Sequence, residues 1–194
     1  ALPTVTMSGA HRHVSFAEMT HAGAVDATAG VNAIREYARL KKVAYIVDGF
    51  FKYVGQLTYY ENEIQRGIGD RVCGLQIWNT NAQTGPQVVV DSVTILDMGF
   101  ESYLYQQKAT GGGTGMIGVG LIVGNYIDGT IPEPKGFHID RVLISRKPNE
   151  AGFTSYNAFA FQVGGGARDG YIGRVTVVGR HSVAFQAHWN GNNS

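Results

Sequence analysis

Four acidic residues stand after short apolar runs or in the polar corners between them, and they are the first candidates for chemistry: Asp97, Glu101, Asp128 and Asp169. Hydrolysis of a glycosidic bond needs two carboxyl groups, one as general acid and the other as base or nucleophile. Stacked strands can bring such residues together although they are far apart in the sequence. Acidic residues at corners more often cap turns in solvent. The pattern therefore indicates catalytic candidates without selecting one pair.

Several aromatic residues follow an apolar run or lie in the long insertion 97–118: Trp78, Tyr103, Tyr105, Tyr126 and Trp189. A sugar ring has apolar faces that stack on aromatic rings, while its hydroxyl groups need polar neighbours. We therefore expect Trp78, Tyr103 and Tyr105 to contact a carbohydrate. Packing in the core or between subunits explains the same three residues equally well.

Two motifs resemble a cofactor site and a metal site, but the residues around them do not support either kind of site. The segment "GTGMIG" (113–118) matches the Gly-x-Gly-x-x-Gly nucleotide pattern, but a strand-like "VGLIVGN" follows it where a helix is required. His11, His13 and His21 have no cysteine or acidic cluster nearby that would complete a metal site. The other histidines, at 138, 181 and 188, are read as structural or exposed. The sequence predicts no cofactor and no metal ion.

The composition limits the partners. The chain has 194 residues, of which 44% are hydrophobic, which is enough for one domain with a sizeable core. Its 16 basic and 15 acidic residues leave no polycationic surface for nucleic acid or anionic lipid. No apolar run reaches the roughly 20 residues that cross a bilayer. Cys73 is the only cysteine, so no internal disulfide forms, and the start "ALPTVTMSGA" indicates that a signal peptide is absent or removed.

One helix is predicted near the start of the chain, over 26–41. Val31, Ile34 and Ala38 have helical spacing, and the polar face is expected to carry Asn32, Arg35, Glu36 and Arg39. Asp26 or Thr28 is the expected N-cap.

After Lys42 the chain contains an internal repeat of two alternating motifs. The first motif is "GLQI" (74–77), "GLIV" (120–123), "AFQV" (160–163) and "AFQA" (184–187). The second is "DSVTIL" (91–96), "DRVLIS" (140–145) and "GRVTVV" (173–178). Strands of constant length with connections of variable length indicate stacked rungs whose corners tolerate insertions. Asp91 and Asp140 open the second motif, which indicates a corner hydrogen bond more than a chemical role.

The fold expected from these patterns is all-β, a right-handed parallel β-helix with one N-terminal capping α-helix. The expected organisation is a lead segment (1–22), a capping helix region (23–42) and β-helix rungs (43–194). A jelly roll with antiparallel strands is the alternative. Because "VAFQAHW" (183–189) opens a new rung and only "NGNNS" follows, we expect either a longer natural chain or a neighbouring chain over the open end.

Four segments resemble the pectate-lyase-like superfamily of right-handed parallel β-helices, and especially the entry segment of phage tailspikes. They are "GAVDATAGVNAI" (23–34), "VAYIV" (43–47), "DGFFKYVGQLTY" (48–59) and "EIQRGIGD" (63–70). The resemblance is clear from residue 23 to about residue 100, and the repeats extend it more loosely to residue 194.

The resemblance implies a virion tail protein, homotrimeric and associated with other virion proteins, that binds a host surface polysaccharide of the capsule or lipopolysaccharide type. Whether it also cleaves the glycan stays open, because the superfamily includes glycoside hydrolases, polysaccharide lyases and inert fibres. A secreted monomeric polysaccharide lyase or epimerase is the first alternative. A non-catalytic structural adaptor or decoration protein of a virion is the second.

Overall fold

The computed structural model describes residues 4–7, 26–79, 86–104, 118–124, 133–145, 158–164, 166–179 and 183–188. They form one helix and 13 strands in two sheets. The nine-stranded sheet contains β1 (Thr4–Met7), β2 (Ala44–Val47), β3 (Phe50–Val54), β4 (Ile64–Gly67), β5 (Gly74–Asn79), β7 (Thr94–Leu104), β9 (His138–Ser145), β11 (Tyr171–Ile172) and β12 (Val175–Val178). The four-stranded sheet contains β6 (Gln87–Val88), β8 (Gly118–Val123), β10 (Ala158–Gly164) and β13 (Val183–His188).

The predicted fold class, an all-β right-handed parallel β-helix, is wrong. The chain is a mixed structure in which a helix of 14 residues accompanies two sheets, and the described strands trace no closed β-helix. Short apolar runs predict buried strands, but their spacing does not decide how successive strands close on one another. The jelly roll alternative also fails, because every strand pair in the described ranges is parallel.

Two strands of the nine-stranded sheet, β7 and β9, each bend at one residue, and each pairs with a different strand before and after its bend. The first half of β7 pairs with β4 and its second half pairs with β5, and the bend between them falls at Asp97, where φ is 57°. The first half of β9 pairs with β11 and its second half with β12, with the bend at Arg141, where φ is 52°. Register places Asp97 and Arg141 opposite each other, between the pairs Leu96↔Asp140 and Met98↔Val142. The strands β7 and β9 therefore bend at the same position in their shared register.

The internal repeat is confirmed for its later units and is wrong for its first. Leu121, Phe161 and Phe185 stack in register across β8, β10 and β13, and Val142 pairs with Val175. "GLQI" instead lies in the other sheet, and Met98 rather than Val93 pairs with Val142. The first unit resembles the others in residue type but not in its place in the stack.

Helix α1 (Thr28–Lys41) packs on the start of the nine-stranded sheet. Ala27 is the N-cap, and Asp26 Oδ1 accepts a hydrogen bond from Thr28 N at 2.9 Å, so the expectation that Asp26 or Thr28 is the cap residue is wrong. Lys42 ends the helix in the left-handed conformation. The buried stripe is Val31, Arg35 and Ala38. Arg35 thus lies on the face opposite to the predicted one.

The core lies between the sheets and is built from alternate strand residues. One row in register consists of Phe51, Leu75, Phe100 and Ile144, all buried. Leu121 and Phe161 meet this core from the four-stranded sheet. The sheets come close at Gly120, where an added Cβ would lie 2.6 Å from both Ala160 O and Ile144 Cγ2. In the described part of the chain, no helix has the length and apolar character needed to cross a bilayer.

Candidate functional site

Four residues on neighbouring strands form one row on the outer face of the nine-stranded sheet. Ile64 pairs with Thr94, Thr94 with His138, and His138 with Tyr171, across β4, β7, β9 and β11. We call this set (Ile64, Thr94, His138, Tyr171) the cross-strand row. Because side chains alternate along a strand, the next residues Gln65, Ile95 and Ile139 point inward, and all three are fully buried. The cross-strand row therefore faces away from the core.

Two rings at the end of this row are exposed. The centroids of the His138 and Tyr171 rings are 4.9 Å apart with an interplanar angle of 83°, an edge-to-face contact. Tyr171 is 56% exposed. Edge-to-face packing fixes the orientation of an aromatic ring and adds to the energy of its burial. The pair is a fixed aromatic surface in contact with solvent.

Glycine at position 173 lets a carboxylate lie beside this ring. A Cβ at Gly173 would collide with Asp140 Oδ1 and would be 3.0 Å from Tyr171 Cε1. The Asp140 carboxylate and the Tyr171 ring therefore flank the bare backbone of Gly173. An apolar ring and a strong hydrogen-bond acceptor are held side by side.

Five charged residues lie at or near the bends of β7 and β9 and are connected by hydrogen bonds and ion pairs. We call them the charged strip: Asp70, Asp97, Asp140, Arg141 and Arg174. The guanidinium of Arg141 bonds both Asp97 and Asp140. Arg174 N donates to Asp140 Oδ1 at 2.8 Å, and an Arg174 terminal nitrogen is 3.4 Å from Asp70 Oδ2. Residues in the left-handed conformation cost energy and persist only when their surroundings hold them, and these contacts hold Asp97 and Arg141.

Two residues of this strip, Asp140 and Arg141, are held in their charged forms. The backbone N–H of Arg174 and the charge of Arg141 lower the pKa of Asp140. The hydrogen bond to Asp97 raises the pKa of Arg141. A general acid in glycoside hydrolysis needs a raised pKa, so Asp140 is unsuited to that role.

Asp91 and Asp140 make the corner hydrogen bonds expected from the repeat. Asp91 Oδ1 accepts from Lys135 N at 3.0 Å, and Asp140 Oδ1 accepts from the backbone N–H of Arg174. The predicted corner hydrogen bonds of these two residues are therefore confirmed, and each one connects two segments that are far apart in the sequence.

Three of the predicted site residues, Trp78, Glu101 and Tyr103, belong to the neighbouring strands β5 and β7. Trp78 pairs in register with Tyr103, and Gln76 pairs with Glu101. Trp78 Nε1 donates to Gln76 Oε1 at 2.9 Å, Gln76 Nε2 donates to Glu101 Oε2 at 3.3 Å, and Lys52 Nζ is 4.4 Å from the Trp78 ring centroid. Glu101 is only 2% exposed. Gln76 is also buried, whereas Trp78 and Lys52 are partly exposed, so Glu101 is not placed to meet a bulky substrate.

The remaining predicted site residues are dispersed or lie outside the described residues. Asp97 belongs to the charged strip, whereas Asp169 lies on an exposed turn where its carbonyl accepts from Gly136 N at 3.1 Å. Asp128 and Tyr105 fall outside the described ranges. Asp97, Glu101 and Asp169 thus occupy three different environments. Within the ranges that the structure describes, no three His, Cys, Asp or Glu residues come together as a possible metal site.

Sequence reasoning missed the aromatic pair, although a signal was present. His138 and Tyr171 each stand four residues before the central valine of the second motif, Val142 and Val175. An aromatic ring at one repeat position on two successive strands forms a surface when those strands pair. The aromatic candidates predicted from the sequence follow strands or lie in an insertion, whereas His138 and Tyr171 begin β9 and β11.

A groove opens at the other end of the cross-strand row, where α1 ends. Its volume is about 370 Å³. Ala38, Val43 and Ile64 supply apolar lining, and Arg39, Lys42 and Tyr60 lie around them. Ile64 therefore belongs both to the groove and to the row.

Comparison of the chain with protein-family models, with curated proteins and with solved structures found no match. The resemblance to the pectate-lyase-like superfamily thus rests on the sequence pattern alone.

Proposed function

We propose that the protein binds a host surface polysaccharide through the outer face of the nine-stranded sheet, as a component of a virion tail. The observation that carries the binding proposal is the exposed Tyr171 ring, held by His138 beside the Asp140 carboxylate. The virion context is supported by the four sequence segments that resemble tailspikes.

The combination of groups suits a sugar. The apolar face of a sugar ring stacks on an aromatic ring, and its hydroxyl groups donate to carboxylates and accept from guanidinium groups. Tyr171 supplies the ring, Asp140 the acceptor and Arg174 the donor, with the Arg174 side chain 64% exposed. Tyr171 and Asp140 lie beside Gly173, and Arg174 follows this glycine in the chain, so a sugar unit that stacks on Tyr171 also reaches the Asp140 carboxylate.

The charge of the site argues for a neutral glycan. The charged strip contains three carboxylates and two guanidinium groups, and the whole chain has a formal net charge of +1. A polyanion such as nucleic acid is attracted by clusters of Lys and Arg, and it would meet repulsion from the aspartates here.

The described geometry favours binding over cleavage. The low pKa of Asp140 keeps it ionised, and Asp97 is paired with Arg141. Hydrolysis needs one protonated carboxyl group beside a second carboxylate. Asp140 is therefore suited to accept hydrogen bonds from a glycan and unsuited to supply the proton that would help to break it.

An array of capsule and lipopolysaccharide glycans tests the proposal. Wild-type protein is expected to bind a subset of neutral glycans, and Tyr171→Ala to bind them about tenfold more weakly, equivalent to about 1.4 kcal/mol. Tyr37→Ala is the matched control, because Tyr37 is 50% exposed on the outer face of α1, outside the site. No glycan bound by the wild type, or equal losses in both variants, contradicts the proposal.

A product assay separates the alternatives. New reducing ends from a bound glycan would indicate a hydrolase, and new ultraviolet absorbance from unsaturated products would indicate a lyase. Binding without either product is the expected result.

A further inference from the structure

The groove and the aromatic pair lie at opposite ends of the same cross-strand row. Ile64 lines the groove and Tyr171 ends the row, with Thr94 and His138 between them. Neighbouring strands are about 4.8 Å apart, so three steps separate the two ends by about 14 Å. One sugar unit cannot span this distance, but a short chain of units can.

The groove has its own features that fit a sugar ring. Tyr60 is 36% exposed and stands beside the apolar lining, and its ring also contacts the guanidinium groups of Arg35 and Arg39, whose carbons are 4.6 and 5.6 Å from the ring centroid. Lys42, Glu61 and Asn62 surround it, and their side chains make no hydrogen bond or ion pair with other described residues. These groups offer both donors and acceptors, as a polyhydroxylated ring requires. The positive charge of Lys42 and the negative charge of Glu61 offset each other, which suits an uncharged ligand.

The residues between the two ends are compatible with a glycan that continues from one to the other. Thr94 offers a hydroxyl group and a methyl group, and His138 offers a ring that can donate or accept a hydrogen bond. Parallel strands keep the four residues of the row in register, so the path crosses the strands nearly at right angles.

We propose that a neutral oligosaccharide of three or more units lies along the cross-strand row, with one unit in the groove against Tyr60 and another on Tyr171. This inference rests on the proposed polysaccharide binding and adds its path, its minimum length and a second site. Affinity then depends on the length of the glycan, because only a chain that reaches both ends gains both sets of contacts.

Fragments of one to six units, prepared from the glycan that binds best on the array, test the length dependence. We expect affinity to rise at least tenfold when the fragment becomes long enough to span the row. Tyr60→Ala and Tyr171→Ala should each remove most of that gain for long fragments. Neither substitution should change the affinity of a fragment that contacts only the other end.

Asn62→Gly provides a second groove variant that is expected to fold. Asn62 has φ of 61°, a conformation that glycine adopts readily, so the change removes the side-chain amide without straining the turn. Tyr37→Ala is again the control. Long fragments whose affinity depends on Tyr171 but not on Tyr60 or Asn62 would overturn the proposed path.

A separate measurement distinguishes failure of this inference from failure of the proposed function. Amide chemical shifts are followed by NMR during titration with mannose, galactose, glucose and N-acetylglucosamine. We expect amide shifts around Ala38 and Asn62 with at least one sugar. The groove site requires these shifts even if the protein binds no polysaccharide on the array. Glycan binding on the array without groove shifts refutes the groove site and leaves the proposed function standing.

Discussion

Arg35 and Glu63 form a two-point ion pair inside the protein, with Nε–Oε1 at 2.7 Å and a terminal guanidinium nitrogen 2.8 Å from Oε2. Arg35 also donates to the carbonyl of Thr58 at 2.6 Å, and Glu63 accepts from Tyr45 Oη at 2.6 Å. Burial acts to lower the pKa of Arg35, but its bonds with Glu63 more than offset this and raise it. The pair joins α1 to the turn before β4, which also forms one side of the groove.

Glu63→Gln is expected to destabilise the protein strongly. It leaves the Arg35 guanidinium buried without a countercharge, and loss of one partner of a buried pair typically costs about 3–5 kcal/mol. Urea unfolding followed by far-ultraviolet circular dichroism measures this change.

The helix supplies a matched control in the exposed pair Arg39–Glu36, with N–O distance 2.6 Å and both side chains 45% exposed. Glu36→Gln should cost far less than Glu63→Gln, because solvent screens an exposed pair. Similar losses in the two variants would show that the burial of Arg35 and Glu63 has no energetic consequence.

Because two tyrosines, Tyr45 and Tyr59, are buried, we expect the protein to lose stability in alkaline solution. Burial, and after it the charge of Glu63, raises the pKa of Tyr45 and of Tyr59 well above 10. Above pH 10 the unfolded chain releases these protons while the folded chain retains them, so the free energy of unfolding falls as pH rises. Each tyrosine contributes a slope of about 1.4 kcal/mol per pH unit, and below about pH 10 the contribution is constant.

The slope can be assigned with Tyr45→Phe, which removes one ionisable group while keeping the ring. Between about pH 10 and about pH 11, this variant should lose stability less steeply than the wild type. Equal slopes in urea unfolding would mean that Tyr45 ionises as easily in the folded state as in the unfolded one.

The sequence predicted the local elements well and their assembly poorly. The helix predicted over 26–41 is Thr28–Lys41, and the segment "VAYIV" (43–47), at the start of the predicted rungs, contains the strand Ala44–Val47. The buried Arg35 was misplaced because its stripe, Val31, Arg35 and Ala38, has helical spacing but includes a charge. Only the position of Glu63, 28 residues later in the chain, explains why that charge can be buried.

The arrangement of strands depended on conformations that residue types do not specify. Asp97 and Arg141 adopt left-handed backbone conformations, which are uncommon for residues other than glycine. These bends divide β7 and β9 between different partners and shift Met98 into the place expected for Val93. Asp97 was singled out as a catalytic candidate, which stays a prediction, and its partner Arg141 is 44 residues away in the sequence, so no local pattern links them.

Substitution of Gly30 and of Gly120 by alanine should change the stability of the protein in opposite directions. Gly30 lies in α1 with nothing within 4 Å of an added Cβ, so Gly30→Ala should stabilise the protein by about 0.5–1 kcal/mol. Gly120→Ala places its methyl group against Ala160 O and Ile144 Cγ2, and overpacking of this kind typically costs about 1–3 kcal/mol. Thermal unfolding of both variants measures the difference, and a shift of the same sign in both would contradict the packing at Gly120.

Cys73 is expected to react with thiol reagents only when the protein opens. The thiol is buried, and burial raises its pKa, so little thiolate is present to react. Labelling by a disulfide reagent should be slow in buffer and fast in concentrated urea, and Glu63→Gln should accelerate labelling in buffer by increasing the open population. Fast labelling of the native wild-type protein would place Cys73 at the surface.

Gly173→Ala tests the proposed site without removing any functional group. The added methyl group would collide with Asp140 Oδ1 and would lie 3.0 Å from the Tyr171 ring, so at least one of these groups must move. We expect glycan affinity to fall about tenfold, equivalent to about 1.4 kcal/mol, because ring and carboxylate no longer stand at the spacing that one sugar unit needs. Gly30→Ala is the control, since it adds the same methyl group in open space. The affinity is measured by titration with the array-selected glycan, and circular dichroism confirms that the variant is folded. A folded Gly173→Ala protein with unchanged affinity would show that the Tyr171–Asp140 arrangement does not form the binding site.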